Sequence, residues 1–227
     1  MQRADSTDGV SVVLPVYRNA PVLPELYRRV RAALSDRPLE IVMVDDVSPD
    51  DSLAVMRSLD VVAVPLARRT GQNGAILAGL AHATQPLTCV LDADLQDPPE
   101  ALPRLLERLG QGDVSVVFST RETASPASSR LFRWLIQRIF PSLPARPCLC
   151  FALDAPTRQA LLSLASERDY LVAAIGALSV PTAAVSVKRE ARPVGRSAYG
   201  TLRRTNYAAR ALSSALRLRF RKRTEHA

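Results

Sequence analysis

The sequence predicts an α/β fold: a Rossmann-like, parallel sheet with helices on both faces. Three observations carry that expectation. Short apolar runs rich in β-branched residues alternate with segments of helical spacing along the first half of the chain. Two of those runs, Ile41-Val42-Met43-Val44 and Thr88-Cys89-Val90-Leu91, end in acidic residues, Asp45-Asp46 and Asp92-Ala93-Asp94. The helix between them is built from small residues (Ala75, Ala78, Gly79, Ala81, Ala83), which suits close packing on a sheet.

In chain order, residues 10–16 read as the first strand, and 21–34 as a helix with apolar side chains at Val22, Leu23, Leu26, Val30, Ala33 and Leu34. Residues 39–44 form the second strand. Pro49-Asp50-Asp51-Ser52 supplies the turn and cap of a helix over 52–59. A strand over 61–66, a helix over 74–84, a strand over 88–91, a helix over 101–109 and a strand over 114–118 follow. The glycines of Gly71-Gln72-Asn73-Gly74 read as a tight turn before a helix, since the lysine of a P-loop is missing. Beyond them, 129–140 is an amphipathic helix studded with Arg130, Arg133 and Arg138, and its apolar stripe suits either core or a lipid-side surface. The three prolines of 141–150 make a loop. Helices over 155–164 and 167–175, a strand over 183–187 and an arginine-rich helix over 199–223 complete the reading. It divides the chain into a domain over 1–200 and a basic amphipathic helix or tail over 201–227.

The net charge of +8 is uneven: residues 185–227 hold 12 Lys/Arg against 2 acidic residues. The basicity belongs to the tail, which points to a local anionic partner. That helix suits an anionic membrane surface or packing on the domain, and no recognition motif suggests nucleic acid. Cys89, Cys148 and Cys150 are an odd set without metal spacing, and a reducing compartment is expected. The polar opening residues 1–9 do not read as a signal segment. The uncharged stretch 170–187 is broken by Gly176, Ser179 and Pro181, so it reads as helix, break and strand rather than a membrane span. Neither His82 nor His226 calls for a chemical role.

Ligands of open α/β sheets bind beyond the carboxyl ends of the strands. Two carboxylates one residue apart at such an end can share a hard divalent cation, which in turn bridges substrate phosphates. Asp92 and Asp94 therefore predict a nucleotide-diphosphate site. Asp45 and Asp46 could cap the turn that follows them or accept hydrogen bonds from a nucleobase or ribose.

Several ordered segments together resemble the family-two glycosyltransferases of the A-type (GT-A) fold, and within them the dolichyl/undecaprenyl-phosphate sugar transferases. They are Val12-Val13-Leu14-Pro15-Val16-Tyr17-Arg18-Asn19, Val44-Asp45-Asp46-Val47-Ser48-Pro49-Asp50 and Leu91-Asp92-Ala93-Asp94-Leu95-Gln96-Asp97-Pro98-Pro99-Glu100. Ser119-Thr120-Arg121, Ser129-Arg130-Leu131-Phe132 and Arg192-Pro193-Val194-Gly195-Arg196-Ser197-Ala198-Tyr199 extend the likeness to about residues 10–210. The resemblance implies that Pro15, Tyr17, Val44 and Asp46 hold the nucleotide, with Ala93 beside it. Asp92, Asp94 and Gln96 would surround Mg²⁺ or Mn²⁺ on the diphosphate. Arg121 and Arg130 would meet the acceptor phosphate, and Arg192 and Ser197 would close over donor or acceptor phosphates. Arginine suits that work, because its planar fork matches phosphate oxygens and stays charged.

The chain departs from the family at Ala198, where the family usually has a lysine, and at Phe151-Ala152-Leu153, where the family commonly has an arginine in place of Ala152. The C-terminal membrane helices of many bacterial members are not read here. The implied activity is inverting sugar transfer from a UDP- or GDP-linked donor to a polyprenyl phosphate. The expected place is the cytoplasm, peripheral on the inner face of the plasma membrane, with a membrane-protein partner or homo-oligomer as further possibilities. A soluble glycan or small-molecule hydroxyl as acceptor is the alternative, with Asp154 or Glu167 as its base. A non-catalytic nucleotide-sugar-binding subunit is the third reading.

Overall fold

The computed structural model describes residues 8–121, 134–188, 190 and 213–218. Seven strands form one sheet: β1 (Val10–Val16), β2 (Leu39–Asp45), β3 (Val62–Pro65), β4 (Leu87–Val90), β5 (Val116–Arg121), β6 (Phe151–Asp154) and β7 (Thr182–Val187). Their spatial order is β3-β2-β1-β4-β6-β5-β7. The helices are α1 (Leu23–Ala33), α2 (Ser52–Arg57), α3 (Gly71–His82), α4 (Leu102–Gly110), α5 (134–139), α6 (Ala155–Leu164), α7 (Leu171–Leu178) and α8 (213–218). Single 3₁₀ turns at Ala20–Val22 and Pro99–Ala101 lead into α1 and α4.

Alternation along β1 shows why the sheet is covered on both sides. Val10, Val12, Leu14 and Val16 join one core with Leu23, Leu26 and Val30 of α1, Met56 of α2 and Leu102, Leu105 and Leu109 of α4. Val13 points the other way, into a second core with Ala75, Ile76 and Leu80 of α3, Leu161 of α6 and most of α7. Ile136 of α5 and Ala215 and Leu218 of α8 join that second core. The glycine in mid-α3 is needed for this packing. A Cβ on Gly79 would stand 2.3 Å from Val13 Cγ1 and 3.0 Å from Val44 Cγ2, so α3 lies directly on β1 and β2.

Strands β1, β2 and β3 wind outward with α1 and α2 on one face. The chain then crosses by α3 on the opposite face to lay β4 on the free side of β1. Strand order therefore reverses between β1 and β4, and a crevice opens there at the carboxyl ends.

Three expectations need correction. The sheet is mixed rather than parallel, because β6 runs antiparallel to both β4 and β5. Residues 151–154 are too short and too uniformly apolar to announce themselves, and their partners are distant in sequence. Gly71-Gln72-Asn73-Gly74 is the first turn of α3 and not a turn ahead of it. Residues 167–170 are a turn, and α7 begins at Leu171. Of the long C-terminal helix, only 213–218 falls among the described residues; those six are helical, with Ala215 and Leu218 buried. The stretch 170–187 is α7, a left-handed Ser179 (φ 56°) and β7. No helix among the described residues is long and apolar enough to cross a membrane.

Candidate functional site

The loops that leave β1, β2 and β4 meet at the strand-order reversal, and each contains a non-glycine residue in the left-handed region. They are Arg18 (φ 59°), Val47 (φ 58°) and Leu95 (φ 59°). A β-branched residue such as Val47 is rarely held there, and strain of this kind collects at ligand sites. Hydrogen bonds hold the first two loops in place. The Arg18 N–H donates to Ser48 Oγ (3.2 Å), Asn19 N–H to Ser52 Oγ (3.0 Å) and Ala20 N–H to Asp50 Oδ2 (3.2 Å). Asp50 also accepts from Ser52 Oγ (2.6 Å). Burial pushes the Asp50 carboxyl up, but these hydrogen bonds outweigh it and hold the group below the usual carboxylate range.

Asp45, which ends β2, takes the turn-capping role, whereas Asp46 caps the start of α3, which neither alternative named. Asp45 accepts the Ser48 N–H at 3.2–3.3 Å. Asp46, 3% exposed, reaches across to the start of α3. It accepts from Thr70 N–H (2.6 Å) and Gly71 N–H (3.0 Å), donors that an isolated helix start leaves unsatisfied. Arg69 lies beside it, Nε 3.7 Å from Asp46 Oδ2, with its guanidinium 3.7 Å from the centroid of the Tyr17 ring. That is cation–π distance. Pro15 pairs with Val44 in the β1–β2 register, one residue short of these loops. The four residues expected around the nucleotide are thus brought together, with Arg69 added.

Past β4 the burial alternates: Leu91, Ala93 and Leu95 are buried, while Asp92, Asp94 and Gln96 are half-buried. Ala93 and Leu95 sit in the first core, so the alternation turns the two carboxylates and Gln96 to the other side. Asp92 Oδ1 accepts from the side-chain amide of Gln72 in the first turn of α3. Asp94 Oδ1 accepts the Gln96 N–H (3.0 Å), fixing its rotamer, and the Gln96 carbonyl accepts the Glu190 N–H (2.9 Å). Arg29 of α1 then grips Glu100 and Glu190 together (2.6 and 2.8 Å), tying this loop to the chain beyond β7.

Among the described residues no group of three His, Cys, Asp or Glu side chains converges as a metal cage. Two carboxylates suit a divalent ion that takes its remaining oxygens from a diphosphate and water. Cys89 of β4 and Cys150, just before β6, are both buried, which disfavours the thiolate. Burial raises Cys89 to about 12 and holds Cys150 well above the usual thiol range.

Arg121 ends β5, paired with Val187 of β7 at the same end of the sheet. Its side chain, like Arg130, Arg192 and Ser197, lies outside the described residues. Asp154 and Glu167 are both engaged structurally. Asp154 pairs with Leu87 at the opposite end of the sheet and caps α6 through the Thr157 N–H (2.8 Å). Glu167 holds Arg68 with both oxygens at 2.8 Å. Sequence reasoning missed Arg69, Gln72 and Asp50 as parts of the site. A polar Gln72-Asn73 pair opening an otherwise apolar helix was the available signal.

Residues 11–148 match glycosyl transferase family 2. The chain belongs to that family. Within family 2 it is 36% identical over 213 residues to the undecaprenyl-phosphate 4-deoxy-4-formamido-L-arabinose transferase of Sodalis glossinidius, covering 88% of this chain and 65% of that relative. The same identity and length hold for the transferase of that name from Pseudomonas aeruginosa strain LESB58, with 62% of the relative covered. The chain thus spans a little under two thirds of the length of these relatives. Glucosyl-3-phosphoglycerate synthase from Mycobacterium tuberculosis, solved with Mn²⁺, UDP and phosphoglyceric acid, superposes with a TM-score of 0.71 at 19% identity, over 93% of this chain and 78% of the other. Mannosyl-3-phosphoglycerate synthase from Rubrobacter xylanophilus gives 0.70 at 18% identity, over 96% and 75%. At such identities these structures establish the shared GT-A fold of family 2.

Proposed function

We propose that this chain is an inverting glycosyltransferase that moves a sugar from a nucleotide diphosphate sugar to a polyprenyl phosphate. The observation that carries the reading is the pairing of Asp92 and Asp94 with the Tyr17–Asp46–Arg69 cluster at the strand-order reversal. Its likeness to two relatives named for undecaprenyl phosphate supports the acceptor.

In this reading the base and ribose lie against Tyr17, Pro15 and Val44, with Asp46 and Arg69 supplying their polar contacts. The diphosphate extends towards Asp92 and Asp94. Mg²⁺ or Mn²⁺ held by those carboxylates, with Gln96 beside them, would neutralise the charge that develops on the departing nucleotide diphosphate. Gln72 orients Asp92, and the Gln96 N–H orients Asp94, so both oxygens are preset before the donor arrives. Arg121 and Arg130 would bind the acceptor phosphate, and Arg192 and Ser197 would close over the phosphates. That phosphate is ionised near neutral pH, so the attacking oxygen needs no strong base. A hydroxyl acceptor does need one, and the two residues considered for that role, Asp154 and Glu167, are taken up by the α6 cap and by Arg68. Binding at an anionic membrane surface or to a membrane protein, from the cytoplasmic side, fits the acceptor and the basic tail.

The test is incubation with Mn²⁺, undecaprenyl phosphate and a panel of labelled nucleotide sugars, followed by extraction into organic solvent. Label that moves with the wild type and not with Asp94→Ala supports the reading and names the donor. Donor hydrolysis or binding without transfer to lipid sinks the polyprenyl acceptor.

A further inference from the structure

The turn over residues 166–170 is in direct contact with the first turn of α3. A Cβ on Gly74 would stand 3.1 Å from Glu167 Cβ and 2.5 Å from Thr70 Cβ, so the two segments touch with no room between them. Two polar ties reinforce the contact. Glu167 holds Arg68, and the Asp169 carbonyl accepts from the Asn73 side-chain amide at 2.9 Å. Asn73 neighbours Gln72, the residue that holds Asp92, and Thr70 and Gly71 are the donors to Asp46. The platform beneath the start of α3 therefore bears on Asp46 and Asp92 of the donor site.

That platform is in turn closed from the far end of the chain. Ser214, fully buried in α8, donates to Asp169 Oδ1 (2.8 Å) and accepts the Tyr170 N–H (3.0 Å). Asp169 Oδ2 accepts from the Ser166 N–H (3.0 Å) and hydroxyl (2.7 Å), and Arg217 approaches Oδ1 at 3.6 Å. Ala215 and Leu218 bury their side chains beside α7 in the second core. Residues 213–218 lie beyond the 11–148 stretch that matches the family.

We infer that Ser214 and Asp169 are positioning residues for the donor site, so that docking of α8 sets the first turn of α3 and, through Gln72 and Asp46, the geometry that receives the nucleotide diphosphate. The coupling is physical at each step: serine to carboxylate, carboxylate turn to Asn73, Asn73 to its neighbour Gln72, Gln72 to Asp92. Losing the Ser214 hydroxyl removes its hydrogen bonds to Asp169 Oδ1 and from the Tyr170 N–H, which loosens the turn that α3 rests on. The inference rests on the donor-site reading above.

The full chain is tested as wild type, Ser214→Ala and Asp169→Asn, by two measurements. Hydrogen exchange reads the clasp without any ligand. Amides of Thr70, Gly71 and Gln72 should exchange about five-fold faster in Ser214→Ala, with β1 and β2 unchanged, as expected for one lost hydrogen bond acting through a local opening. Loosening confined to 166–170 and 213–218, or spread evenly over the whole sheet, overturns the inference. Steady-state transfer then separates positioning from mere stability: donor KM should rise several-fold with kcat held, at a temperature where all three proteins are folded. An unchanged donor KM beside faster exchange at 70–72 would also overturn it. Should the wild type bind neither UDP nor GDP with Mn²⁺, the donor-site reading fails, while the exchange measurement still judges the clasp.

Discussion

The two ends of the sheet use similar polar residues to opposite purpose. At the amino ends, Glu40 accepts from Ser11, from the Thr84 N–H (2.9 Å) and from the Thr84 hydroxyl (2.9 Å). The Gln85 N–H donates to Ser11 Oγ (3.1 Å), and Arg158 donates to Gln85 O and Thr88 Oγ, both at 2.7 Å. These bonds tie β1, β2, β4, the loop that enters β4 and α6 to one another, and none of these residues has a left-handed backbone. At the carboxyl ends, hydrogen bonds instead hold strained loops open in front of Asp92 and Asp94. One set closes strand upon strand and stabilises the protein; the other holds strained loops at the place where the donor site is proposed. Polar residue content alone therefore does not mark a site, and what marks it is strain held by hydrogen bonds at a strand-order reversal.

Breaking one end should leave the other working. Asp94→Ala should lower kcat by about 10²–10³-fold, the usual scale for losing one group that stabilises developing charge. Its melting temperature should stay close to that of the wild type, because Asp94 Oδ1 takes the Gln96 N–H of its own loop. Arg158→Ala should do the reverse. It strips partners from Gln85 O and Thr88 Oγ in a buried position and should cost about 2–4 kcal/mol in denaturant unfolding. Donor KM, measured well below the lowered melting temperature, should not change.

Smaller changes sharpen the contrast. Asp46→Ala removes the acceptor for two α3 amides and should cost about 1–2 kcal/mol, the range for a lost helix cap. Unlike Arg158→Ala, it should also weaken donor binding in calorimetry. Val47→Gly relieves a left-handed β-branched residue and should stabilise by about 1 kcal/mol, while loosening the loop and raising donor KM. The Glu40 prediction concerns pH. Burial raises this carboxyl, and hydrogen bonds from Ser11 and Thr84 with the charge of Arg158 more than reverse it, leaving it below its ordinary 4.5. A depressed folded-state value stabilises above 4.5, and the benefit is lost as pH falls through the lower folded value. The stability gap between wild type and Glu40→Gln should therefore be full at pH 7 and shrink below about 4.5, by thermal melts across pH.

Much of the donor half was legible. The strand over 10–16 and the helix over 155–164 agree to the residue, the first on its run of Val and Leu, the second on the Asp154 cap and Pro156 at its start. The acidic strand ends fall beside the strand-order reversal, because β1 lies between β2 and β4 in the sheet. What escaped was long-range. Asp46 finds its partners 24 and 25 residues away, and no local pattern announces that it caps α3. The same holds for Gln72 reaching Asp92 across 20 residues, and for Arg69 lying over Tyr17. Strand β6 was hidden in a Phe151-Ala152-Leu153 run whose identity as a strand comes only from β4 and β5 on either side. The helix expected over 167–175 failed at its start because Ser166 and Asp169 hydrogen-bond each other into a turn.

The most direct measurement is Mn²⁺ binding followed by electron paramagnetic resonance, with UDP or GDP present, in the wild type, Asp94→Ala and Arg158→Ala. Nucleotide-dependent Mn²⁺ binding that survives Arg158→Ala and disappears in Asp94→Ala is the predicted result. Binding that persists in Asp94→Ala would contradict the account, because the ion would then be held somewhere other than the carboxyl end of β4.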